Sequence, residues 1–271
     1  MKAKKVLVIL LTVLIFLSCA TLGFATVFRV DSVQVNPSTV SEEAKVEANE
    51  LQVLLTEAYQ SENTVFARED KAKALVDSFP YFRFTAFKKA YPNRLIVEVV
   101  EDAEVYAVKK SETEYYILNA EGTILGVRDN YRNRADTTGK EYNVLLSGFT
   151  ASGNKGEALV GTGNYSYLIE ACKKANEILE GIRSNVVSAE IQGGASPETV
   201  VIKLKMREGV SLYLHNPSYQ CEEKAEKAIR YYMSQDGQGL TDQQRTRGAV
   251  IVYETSGVVG CVYSDIDIPT E

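Results

Sequence analysis

Tryptophan is absent from this chain, and histidine occurs once, as His215. With one histidine, every Ser/His/Asp or Cys/His arrangement would have to pass through that residue, and nothing in the sequence places a nucleophile beside it. His215 ends a strand-like run next to Asn216-Pro217, where a lone histidine is most simply structural or solvated. Cysteine is scarce too, at four residues, and Cys19 falls inside an apolar run. The remaining three, Cys172, Cys221 and Cys261, are an odd number and do not describe a disulfide framework, although one pair stays open. They have no CxxC or Cys/His spacing for zinc and read as small, partly buried hydrophobes. An excess of basic residues is also missing. The net charge is −6, and the remainder is more acidic still once Lys2, Lys4 and Lys5 are set aside. That balance excludes a nucleic-acid surface, which needs a basic face. Gly156, Gly161 and Gly163 in GEALVGTG lack the lysine and hydroxyl of a phosphate loop and read as a flexible connection. Asp265 and Asp267 are too few ligands for calcium. No internal repeat or low-complexity tract is present. The expectation is a protein without cofactor, metal or catalytic residue, and not an enzyme.

Hydrophobic residues make up 45% and charged residues 24% of the 271 positions, enough for a sizeable core in one or two domains. The N-terminus sets the compartment. From Val6 through Leu11 and Leu17 to Phe28 no residue is charged. As a helix this run is about 35 Å long, enough to cross a bilayer core. The lysines in residues 1–5 predict a cytoplasmic N-terminus. A cleaved signal peptide would use Ala20 or Ala25, and a lipoprotein would use Cys19. The apolar run continues past all three, and Phe16 is a poor lipobox residue. An uncleaved anchor over 6–28 is therefore expected, with the bulk of the chain outside the cytoplasm.

The most regular stretch is Phe79–Glu101, a β-hairpin by its alternation. Phe82, Phe84 and Ala86 alternate with Tyr81, Arg83, Thr85 and Phe87. Leu95, Val97 and Val99 alternate with Ile96, Glu98 and Val100. Pro92 belongs in the turn, with Asn93 expected at a left-handed corner. Phe82, Phe84, Leu95, Val97 and Val99 are expected on a helix-covered face. Lys88-Lys89 reads as the solvated end of a strand, with contact to lipid headgroups or an acidic partner as the functional alternative. Upstream, Val33 and Val35 mark a strand in FRVDSVQV, which Asn36-Pro37-Ser38 is expected to break. A helix over 42–59 carries Ala44, Ala48, Leu51, Leu55 and Ala58 on one stripe, capped by Ser41. A second helix is expected over 68–78. The order is β-α-α-β-β, directly after the apolar run.

That order, with Phe79-Pro80-Tyr81, Ala86, Lys88-Lys89, Tyr91-Pro92-Asn93 and Leu95–Glu101, resembles a POTRA domain and, more narrowly, the FtsQ/DivIB family of bacterial cell-division proteins. Two departures fall in turns: Asn36-Pro37 replaces the glycine after the first strand, and Asp102-Ala103-Glu104 replaces the proline after the glutamate. The resemblance continues downstream. Strands are expected over 104–110, 115–119 and 123–127, then an irregular polar segment over 129–141, the segment NVLLSGF over 143–149, which is similar to the family's LPVLxG, and a loop over 152–164. A long helix follows over 165–183, burying Leu168, Ala171, Cys172, Ala175, Ile178, Leu179 and Ile182. Val187, Ala189 and Ile191 start another strand. A hairpin spans 200–214, a helix spans 218–234, and GAVIVYE and GVVGCVYS form the last two strands.

The fold expected is α+β: a single transmembrane helix (6–28), a POTRA domain (29–101), a mixed α/β domain on an extended β-sheet (102–264) and an acidic tail (265–271). The resemblance implies a divisome scaffold in the cell membrane, single-pass type II, enriched at the septum. It implies FtsB/DivIC-like and FtsL-like partners, and contact with the bilayer through the N-terminal helix. Carried onto this sequence, the partner-binding segment comprises Tyr253, Ser256, Gly257, Val258, Val259, Gly260, Cys261, Val262 and Tyr263. The segment Val258–Tyr263 has two apolar faces and no following chain long enough to cover it, so an edge strand open to strand addition is expected. The alternatives are a POTRA-containing secretion or transport chaperone and, with no candidate catalytic residues, a membrane-anchored cell-wall hydrolase.

Overall fold

A 26-residue helix, α1 (Lys2–Val27), opens the chain in the computed structural model, which describes residues 2–39, 41–136, 141–194, 196–234 and 239–267. Its segment Leu7–Val27 is long and apolar enough to cross a membrane, and none of its side chains is buried within the chain. These 21 residues span about 31 Å at the helical rise. Phe28, expected as the last residue of the span, lies just past the helix and is half-buried. The chain divides into two units, Met1–Asp102 and Ala103–Glu271.

The first unit continues through β1 (Ser32–Ser38), α2 (Glu42–Tyr59), α3 (Glu69–Val76), β2 (Phe82–Ala90) and β3 (Arg94–Glu101). The strands lie in the order β1-β3-β2, with β1 parallel and β2 antiparallel to β3. The expected break at Asn36-Pro37-Ser38 does not occur: Pro37 pairs with Val99 and Ser38 with Val100. An edge strand tolerates proline because an outward N–H is not needed for pairing. The alternation expected in β2 also fails midway. The register shifts between Phe84 and Ala86, so Phe87 pairs with Val97 and Ala86 with Glu98. A bulge adds one residue and swaps the faces beyond it. Phe87 therefore joins Phe82, Phe84, Leu95, Val97 and Val99 against the helices, its ring 6.0 Å from that of Tyr59. Pro92 lies in the hairpin turn between Ala90 and Arg94, but Asn93 is not left-handed.

A buried carboxylate ties this unit together. Glu101 ends β3, and its Oε1 and Oε2 accept from the Ser41 hydroxyl at 2.5 Å and the Ser41 backbone N–H at 2.9 Å. The same hydroxyl oxygen accepts from the Ala44 N–H and caps α2. Both residues are buried. Glu101→Ala is expected to cost about 1–3 kcal/mol, because it strands buried donors, and Glu101→Gln to recover much of it by keeping an acceptor. Urea melts of the three proteins check this.

The second unit begins with β4 (Tyr106–Lys109), β5 (Tyr115–Leu118), β6 (Ile124–Arg128) and β7 (Val144–Ser147). The short strands β8 (Ala151–Ser152) and β9 (Val160–Gly161) pair within what was expected to be a plain loop. Then come α4 (Tyr165–Ile178), β10 (Val186–Gln192), β11 (Val201–Met206), β12 (Ser211–His215), α5 (Cys221–Tyr232), α6 (Asp242–Arg245), β13 (Ala249–Thr255) and β14 (Val258–Ser264). Nine strands form one mixed sheet in the order β14-β13-β12-β11-β10-β7-β4-β5-β6. Leu168, Ala171, Cys172 and Ala175 of α4, with Ala225, Ala228 and Ile229 of α5, pack into one core with this sheet.

One expectation here needs correction: the helix from Tyr165 stops at Ile178 because Glu180 and Gly181 take positive φ, and Ile182 is buried from a short 3-10 turn instead. The strand expected from Val187 is β10, where the register shifts between Val186 and Ser188, so that Val186 is buried and Val187 exposed. The described part of the polar segment, residues 129–136, is tied at Arg134 to a buried carboxylate. Buried Glu104 accepts from Arg128 Nη2 at 2.7 Å, the Arg134 N–H at 3.0 Å and Asn143 Nδ2 at 3.1 Å. Residues 137–140 of that segment, and 268–271 of the expected tail, lie outside the described residues.

Candidate strand-docking site

Among the described residues, β14 pairs with β13 on one side and with no strand on the other. The two are joined by a two-residue turn, Ser256-Gly257, both at positive φ (54° and 82°). That geometry matches the right-handed twist of a hairpin. It makes Thr255 and Val258, which face each other in the register, the hydrogen-bonded pair that closes the turn. Hydrogen-bonded pairs then alternate along the antiparallel ladder. Val258, Gly260 and Val262 turn their backbone groups inward to β13, and Val259, Cys261 and Tyr263 turn theirs outward from the sheet.

The side chains divide the other way. Val259 is buried, and Cys261 and Tyr263 pack against the core. Val258, Val262 and, on β13, Tyr253 are exposed, at 69, 46 and 41%. Gly260 needs its missing side chain: a Cβ there would sit 3.0 Å from Cζ of Tyr253, so the tyrosine ring covers the gap left by its cross-strand neighbour. Natural edges are usually blunted by charge, proline or a bulge. Val258–Tyr263 carries no charge and no proline, and its register with β13 is unbroken. The hairpin is thus anchored on one face, apolar on the other, and open along its edge.

Beside it lies a feature not visible in the sequence. The chain leaving β14 crosses to β12 and β11, where the Asp267 carboxylate is held. It accepts from the Tyr213 hydroxyl at 2.8 Å and the Ser211 hydroxyl at 3.2 Å. Lys203 and Lys205 stand 3.7 and 3.9 Å away. Cross-strand pairing of Lys203 with Tyr213 and of Lys205 with Ser211 builds the clasp. Burial alone would raise the Asp267 pKa, but Tyr213, the two lysines and Ser211 together hold it below the usual aspartate value. A carboxyl lowered on folding adds stability that is present above its unfolded pKa, near 4, and lost as the pH falls through the folded value. Acid is therefore expected to release the segment after Ser264 before the sheet melts. Asp267→Asn should release it at neutral pH, as read by hydrogen exchange over Asp265–Asp267.

Of the scarce reactive groups, only Cys261 lies on β14. Cys172 and Cys221 are buried free thiols. Burial pushes Cys172 well up and Cys221 up to about 12. Cys261 is likewise raised by burial, to about 11. None is a thiolate nucleophile at neutral pH. His215 is pushed down by burial and then by Lys224. Lys224 is itself buried on α5, and its ammonium donates to the Asn216 carbonyl at 2.7 Å, which pins the turn after β12 to the helix. Lys88 pairs with Glu98 and Lys89 donates to the Val65 carbonyl, so both members of that pair have partners within the first unit. No protein-family model matches the chain, and no curated protein matches it in sequence.

Proposed function

We propose that this chain is a membrane-anchored scaffold of bacterial cell division, resembling FtsQ/DivIB, with a POTRA domain formed by the first unit. The observation that carries the reading is the uncharged edge of β14, which pairs with no further strand among the described residues, at the end of a large mixed sheet. Strand addition needs an edge whose backbone groups are unpaired, and it draws affinity from main-chain hydrogen bonds. Further support comes from the β-α-α-β-β order of the first unit, which directly follows a helix long and apolar enough to span a bilayer. On this reading the lysine-rich start is cytoplasmic and both units face outward. The β13–β14 hairpin takes a strand from a small FtsB/DivIC-like membrane protein, with an FtsL-like protein in the same assembly. The chain performs no catalysis.

A fluorescent fusion to the N-terminus and controlled depletion test the role. The expected result is a band at the division site and, on depletion, long undivided cells. An even envelope signal with normal division on depletion would contradict it.

A further inference from the structure

We propose that the turn ending at Phe66 and the hairpin tip at Tyr91 form a lipid-contacting surface that seats the first unit directly on the bilayer at the exit of α1. The proposal rests on reading α1 as a membrane span.

Aromatic side chains gather where the apolar helix ends. Phe24 and Phe28, one turn apart, have ring centroids 4.8 Å apart. The Phe66 ring is 6.2 Å from Phe24, and the Tyr91 ring is 6.1 Å from Phe28. Phe66 and Tyr91 nevertheless remain 71 and 60% exposed. They are large aromatic rings on loop tips, next to a helical segment, Leu7–Val27, that carries no charge and is not buried within the chain.

The backbone leaves little freedom at this junction. The Thr64 N–H donates to the Phe28 carbonyl at 2.7 Å, and the Val30 N–H to the Glu62 carbonyl at 2.9 Å. On the other side, the Asp31 N–H donates to the Asn93 carbonyl at 2.8 Å. Arg29, the first charge after the span, reaches the Gln60 carbonyl through Nε at 3.2 Å. Both loops are thus bonded to the residues that immediately follow the helix. If α1 crosses the bilayer, Phe66 and Tyr91 lie at the headgroup level, where aromatic rings with one apolar and one wet side concentrate. The occupant of this surface is therefore lipid. The ring contacts to Phe24 and Phe28 make it continuous with the span itself.

Because the chain has no tryptophan, single tryptophans report their own surroundings. Full-length protein would be placed in phosphatidylethanolamine/phosphatidylglycerol vesicles, plain or brominated near the headgroup end of the acyl chains. Four variants suffice: Phe66→Trp, Tyr91→Trp, Leu14→Trp within the span and Val46→Trp on the exposed side of α2. The expected result is blue-shifted emission for Phe66→Trp and Tyr91→Trp, quenched several-fold by shallow bromine, while Val46→Trp stays red and unquenched. If Leu14→Trp is shielded but Phe66→Trp and Tyr91→Trp behave like Val46→Trp, the unit stands clear of the lipid and the proposal is wrong. If Leu14→Trp is itself unshielded, α1 does not reside in the bilayer, and the anchor and the proposal fall together.

Discussion

Val97→Asp is expected to unfold the first unit. Val97 lies on β3, the central strand of its sheet, with Phe87 on one side and Val35 on the other. It is fully buried against α2 and α3. An aspartate there would place a carboxylate among the apolar side chains of that core. The cost, after partial relaxation and neutralisation, is several kcal/mol. That is a large fraction of the roughly 5–15 kcal/mol that holds a domain together. Val46→Asp, on the exposed side of α2, should stay within about 0.5 kcal/mol of the parent. Thermal melts followed by far-ultraviolet dichroism separate the two. A Val97→Asp protein that melts like the parent would place Val97 outside the helix-covered core.

The second large effect is a split of outcomes along β14. Proline removes a backbone donor and fixes φ. At Gly260 or Val262 the lost N–H is one directed to β13, so the hairpin itself should loosen and the melting temperature fall. At Val259 or Cys261 the lost N–H points outward. Pairing with β13 then survives, while an added strand loses a hydrogen bond and meets the ring. Binding of a strand-donating partner should be abolished at Val259 and Cys261 with only a modest drop in melting. The readouts are thermal melting and co-purification of the partner. If the proline variants at Val259 and Cys261 bind like the parent, the partner does not pair with this edge.

Much of the first unit was legible because its signals are local. Ser41, with Glu42 and Glu43 behind it, marks the start of α2, and the stripe from Ala44 to Leu55 shows its buried face. Pro92 cannot sit inside a central strand, so it located the hairpin turn. The bulge at Thr85 was not legible. Phe84 and Phe87 are both aromatic, so a period of two and a shifted period of two look alike across it. Pro37 misled for the opposite reason: its effect depends on whether the strand is central or at an edge, which only the sheet order reveals. The clasp on Asp267 was not legible either, because Tyr213 and Ser211 lie more than fifty residues away in sequence. Glu101 and Ser41 are likewise sixty residues apart. Such ties have no periodicity, and buried polar partners become visible only once the fold brings them together.

The most direct measurement of the scaffold reading is site-specific photocrosslinking in living cells from Val258 and Val262, which are exposed beside the free edge. Val53 on α2, equally exposed, serves as the comparison. A single strong adduct is expected from both β14 positions and not from Val53. That adduct should be a small single-pass membrane protein with a coiled-coil segment, crosslinked through an extended stretch of its chain, and it should vanish with Cys261→Pro. Adducts of equal strength from all three positions, or none from β14 in dividing cells, would contradict the claim that this edge is where the protein does its work.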